Sequence, residues 1–65
     1  MTREEIIAEL EKIESYLQSG VDECAAKRRS PSTSFDHRIV LIAEQTGMRY
    51  GQIKIRDLLT KARGE

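Results

Sequence analysis

The stretch KRRSPSTSFD, residues 27–36, holds the residue types best suited to binding chemistry. Lys27, Arg28 and Arg29 supply three adjacent cations, and Pro31 stiffens the bend after them. Ser32, Thr33 and Ser34 then place hydroxyls where a helix begins. The free amides at a helix start point outward with partial positive charge, which suits an anion. Arginine adds forked donors that match phosphate oxygens. The expected ligand is anionic and phosphate-bearing, such as a nucleotide. Each part also has an ordinary structural use. Serine and threonine are common N-caps, and cations suit the C-terminal end of a preceding helix.

Catalytic groupings are weak by comparison. His37 is the single histidine, and Asp36 is its sequence neighbour. Adjacent residues on a helix do not face each other, so spacing makes no dyad. Cys24 is the only cysteine, and no residue pattern pairs it with a base. One Cys and one His fall short of the four ligands of a structural zinc site. No glycine-rich phosphate loop follows a strand. The expectation is a non-enzyme without metal or cofactor.

The elements that position these residues are read from periodicity. Thr2-Arg3-Glu4-Glu5 is a capping box, followed by a helix to about Ser19 that Gly20 ends. Ile6, Leu10, Ile13 and Leu17 form a narrow stripe on it, suited to one helix partner. Asp22 opens a short helix through Arg29, which Pro31 closes. A third helix spans about 34–46, with Phe35, Ile39, Ile42, Ala43 and Thr46 on one face and Leu41 pointing away. Gly47 breaks it, and a fourth helix covers about 50–63. RIVLIAE and GQIKIRD also fit a pair of strands, but the period of residues 35–46 favours helix.

Residues 39–58 resemble a helix-turn-helix motif. Ile42 and Ala43 stand at its apolar and small positions, Gly47 at its turn, and Met48 and Ile53 at later apolar positions. The resemblance implies a DNA-binding regulator with contacts from Arg49, Tyr50, Gln52 and Arg56. The wheel of the last helix points elsewhere. Ile55, Leu58, Leu59 and Ala62 share a face with Gly51 at its centre, whereas Ile53 lies opposite and Arg56 stands where the motif needs an apolar residue. Gly51 then serves as a point of close helix approach, and Gly47 turns an antiparallel helical hairpin.

Sixty-five residues allow one domain, and a core this small is marginal unless disulfides, metal or oligomerisation add to it. The lone cysteine and two-ligand metal set leave oligomerisation. The expected interface is Ile6, Leu10, Ile13, Leu17 and Ile53, most simply in a two-fold dimer. The zero net charge conceals a split: residues 1–26 carry two cations against seven acids, and residues 27–65 nine cations against four acids. Opposite halves can attract each other, and the basic half an anionic ligand. With no apolar run of membrane-spanning length, an acidic N-terminus and one cysteine, the expected location is cytoplasmic, without membrane contact.

The reading is an all-α small helical bundle over residues 1–65. It has a long N-terminal helix and a C-terminal helical hairpin, and it forms a homo-oligomer. The expected function is a non-enzymatic binding or inhibitor module that occupies a macromolecular partner or holds an anionic ligand. A DNA-binding regulator is the alternative. In size and charge division the chain resembles small accessory proteins of phages and other mobile elements.

Overall fold

The computed structural model describes residues 1–64. Two long helices, α1 (Arg3–Arg29) and α2 (Phe35–Ala62), pack antiparallel as one helical hairpin, with no strand among the described residues. The all-α expectation holds, and the expected number of helices does not. The predicted breaks at Gly20 and Gly47 are absent, so the helices expected at 2–19 and 22–29 are one, as are those at 34–46 and 50–63. The hairpin turns at residues 30–34 and not at Gly47. Asp22 therefore caps nothing; inside α1 it accepts a hydrogen bond from Gln18 Nε2 at 3.0 Å.

The helix ends follow the sequence signals. Thr2 Oγ1 accepts from the Glu5 amide at 3.1 Å, and the Thr2 amide donates to Glu5 Oε1 at 3.3 Å, completing the capping box. At the other end of α1, the Ser30 amide and Thr33 Oγ1 both donate to the Lys27 carbonyl, at 3.2 and 2.7 Å. They satisfy a carbonyl that the end of a helix leaves free. Ser34 then caps α2 by accepting from the His37 amide at 3.2 Å.

The helices continue through the glycines because the packing phase continues through them. In α1 the inward positions are Ile7, Leu10, Glu14, Leu17, Val21 and Cys24, in steps of three and four. In α2 they are Leu41, Gln45, Met48, Gln52, Ile55, Leu59 and Ala62, in the same alternation. This is the seven-residue repeat of a coiled-coil seam. Gly20 and Gly47 fall between seam positions and shift neither register. Glycine permits a left-handed break without imposing one, and burial of the seam on both sides of it holds the helix.

The seam also reverses one sequence-based face. Leu41, expected to point away, is 2% exposed, while Phe35 and Ile39, expected inside, are 75% and 51% exposed. Leu10 and Leu17 are half-buried within the hairpin, whereas Ile6, Ile13 and Ile53 of the expected interface are exposed. The close approach expected at Gly51 is present: a Cβ there would meet Leu17 Cδ1 at 3.4 Å. Gly20 is a second such point, with Met48 lying where its Cβ would be.

Gly47 has nothing within 4 Å of the place a Cβ would take. A helix-interior glycine costs roughly 1 kcal/mol relative to alanine. Gly47→Ala should therefore stabilise the protein by about that amount, read as a raised thermal midpoint by circular dichroism. A loss of stability would show that residue 47 needs a turn conformation.

Candidate functional site

The expected anion site divides into two groups. Thr33 and Ser34 are occupied in closing α1 and opening α2, as described above. Ser32 shares a hydrogen bond with Ser30, Oγ to Oγ at 2.9 Å. Lys27 pairs with Glu23 one turn earlier at 3.0 Å, and that hydrogen bond, with the carboxylate charge, raises the lysine pKa above its ordinary value. The pair is exposed on both sides, so solvent screens it.

Arg28 and Arg29 behave differently. They line a cleft at the turn end of the hairpin with Ala25, Arg38 and Ile42. Three arginines thus line one cleft whose lining contains no carboxylate. Arg28 is held by Gln45, whose Oε1 accepts from Nη1 at 2.6 Å. Gln45 is a buried seam residue and donates in turn to the Val21 carbonyl at 3.4 Å. The core of the hairpin therefore orients one wall of the cleft. Arg38 donates from Nη2 to the Ser30 carbonyl at 3.2 Å, while its Nε is buried and without a hydrogen-bond partner.

Arg38 is the residue that sequence reasoning missed. It lies only four residues beyond Ser34, but on a helix read as a separate element. Its place beside Arg28 and Arg29 follows from a turn at residues 30–34, which folds α2 back along α1. Pro31, quoted in the sequence as a stiff bend, was the available signal.

The expected DNA contacts are dispersed. Residues 39–58 lie on unbroken helix, so the turn of a helix-turn-helix is not formed. Gln52 is 5% exposed and donates to Gln18 Oε1 at 2.7 Å and Glu14 Oε1 at 3.5 Å. Arg56 donates from Nε and Nη2 to the same Glu14 oxygen, at 3.0 and 2.8 Å. Tyr50 is exposed with the Lys54 ammonium 5.3 Å from its ring centre, and Arg49 is exposed. Gln52 and Arg56 thus serve an interhelical cluster that crosses the seam.

Cys24 is buried, with Sγ 3.9 Å from Glu44 Oε2. His37 is exposed in the first turn of α2. No group of three or more His, Cys, Asp or Glu residues that could hold a metal occurs among the described residues, and no helix is long and apolar enough to cross a membrane. Comparison of the chain with protein-family models, curated proteins and solved structures found no match.

The Gln52 cluster gives a stability test. Gln52→Ala leaves the Gln18 Oε1 without its donor, while Glu14 keeps Arg56, and a half-buried acceptor left unsatisfied costs about 1–3 kcal/mol. Urea unfolding should show a loss of that order. An unchanged midpoint would mean that Gln52 does not tie the helices together.

Proposed function

We propose that this protein is a small non-enzymatic binding module that holds an anionic, phosphate-bearing group in the cleft formed by Arg28, Arg29 and Arg38. The observation that carries this reading is the convergence of three arginines on one cleft with no lining carboxylate. Like charges gathered in this way repel each other, and an anion offsets that repulsion. The partnerless Arg38 Nε supports the reading further, because a buried donor without an acceptor carries a free-energy cost that a ligand oxygen would remove.

The chemistry is recognition and not turnover. Arginine stays protonated at any physiological pH, so the three side chains attract and orient charge without exchanging protons. Arg28, fixed through Gln45, presents its remaining donors from a set position. Arg29 makes no hydrogen bond or ion pair among the described residues and is exposed at the cleft rim. A phosphate group carries enough oxygens to accept from all three. Ala25 and Ile42 supply an apolar wall beside them.

The DNA-binding alternative retains Arg49 and Tyr50 as exposed contacts, while Gln52 and Arg56 are committed to Glu14 and Gln18. It predicts salt-dependent duplex affinity that Arg49→Ala abolishes.

Pyrophosphate titration followed by NMR tests the cleft. The Arg28, Arg29 and Arg38 side-chain NεH signals should shift saturably. Arg38→Gln should weaken binding about tenfold or more, the effect of losing one hydrogen bond to a charged group, while Arg49→Ala leaves it unchanged. Absence of a saturable shift, or equal weakening by both variants, would overturn the assignment.

A further inference from the structure

The two sides of the interhelical seam are unlike. On the charged side, at seven-residue intervals, stand Glu11 and Gln18 of α1, Arg49 and Arg56 of α2, and Arg63 just past its end. Ion pairs close it, from Arg63 to Glu11 at 3.6 Å and from Arg56 to Glu14 at 2.8 Å. The arginine cleft lies on this side, since Ala25 and Ile42 continue the same two rows. On the opposite side the same intervals give Ile6, Ile13 and Gly20 of α1, and Gly51 and Leu58 of α2. Neither row holds a charge from the open end as far as Gly20 and Gly51; nearer the turn the rows continue into Lys27 and Glu44. The Gly20–Met48 and Gly51–Leu17 approaches place both rows beside one another. Ile6, Ile13 and Leu58 remain 41–48% exposed.

A third apolar position per heptad is the pattern of a helix that packs in a bundle, where two suffice for a simple two-helix seam. The hairpin fills its two-position seam by itself and leaves the third position open. We propose that a second copy of this chain covers the apolar side, giving a four-helix bundle of two hairpins.

The dimensions support a partner of this size. The hairpin is a rod of 46 × 16 × 14 Å with a Cα radius of gyration of 14.9 Å. A compact domain of this length has a radius of about 11 Å. Its accessible surface is 4853 Å² for 7.4 kDa. Scaling for folded monomers gives about 4,200 Å² at this mass. The excess, roughly 600 Å² from that scaling, approaches the roughly 800 Å² that each partner buries in a stable interface.

Charge chooses the relative direction of the rods. Residues 3–26 of α1 carry two cations and seven acids, and residues 40–62 of α2, level with them, carry four cations and two acids. A two-fold axis along the rods sets α1 of one copy over α2 of the other at the same height, so acidic segments meet basic ones. An axis across the rods would stack α1 on α1, acid on acid. The axis along the rods is the one the charges favour. Both turns then lie at the same end, and both arginine clefts stay open on the outer faces.

Sedimentation equilibrium of the full chain at micromolar concentration tests the assembly. The expected mass is that of a dimer. Ile13→Glu with Leu58→Glu should shift it to monomer, whereas Ile39→Glu with Ile53→Glu, on the outer face of α2, should leave it dimeric. Spin labels at Ser32→Cys in a Cys24→Ser background report direction independently of mass. A short distance between labels fits rods running the same way, and a distance approaching the 46 Å rod length would overturn that arrangement. A monomeric wild type with a cooperative thermal transition, a mass above a dimer, or dissociation by the Ile39/Ile53 pair instead would overturn the proposal. Pyrophosphate binding is read on the same samples, so loss of the dimer and loss of the cleft are separately visible.

Discussion

Every other feature depends on the register of α1 against α2. Two helices of about 40 Å, at 1.5 Å per residue, share one narrow seam, and sliding either by a turn would keep most apolar contacts. Aliphatic side chains discriminate weakly between such alternatives. Polar seam residues discriminate strongly, because a buried amide without a partner is costly. Gln45 and Gln52 are the two buried polar residues among those described, and each finds its partners across the seam in the observed register. A single polar residue at a seam position is an established means of setting register in coiled coils, at some cost in stability.

That register decides what meets at the turn end. It sets Gln45 opposite Arg28 and, with the short bend, Arg38 beside both. It also puts Glu14 within reach of Arg56 and Glu11 within reach of Arg63, drawing the acidic start of α1 against the basic end of α2. Arg3 ties the open end by donating to the Ala62 carbonyl. The charge split in the sequence is thus used within the chain along one side, while the arginines at the turn are left in excess.

The buried apolar set is small: Val21, Cys24, Leu41 and Leu59, with none of the large side chains wholly enclosed. A chain of this size buries a modest fraction of its surface. The glycines add further cost, since each interior one lowers helix propensity. Gly20 and Gly51 return something for it by letting Met48 and Leu17 lie close against the opposite helix, while Gly47 returns no contact of that kind.

Local signals were sufficient for the helix termini at the two ends of the bend and at Thr2, because capping involves residues three or four apart. The all-α class was legible in the same way, from periodicity. The helix count was misread because a glycine is compatible with both a break and a continuous helix. The choice rests on whether the seam keeps phase across it. Leu41 and Ile39 illustrate the limit. Either can lead an apolar face on a wheel, and only the partner helix determines which is covered. Arg28 and Arg29 were visible as a basic pair, but Arg38 joined them only once α2 folded back. The sequence by itself determined the all-helical class, the caps at Thr2 and Ser34 and which cations stand at the bend, since these are properties of near neighbours. The tertiary structure alone decided which face is buried, which arginines share a cleft and which apolar row stays open. Those depend on contacts between residues far apart in the chain, and local spacing carries no record of them.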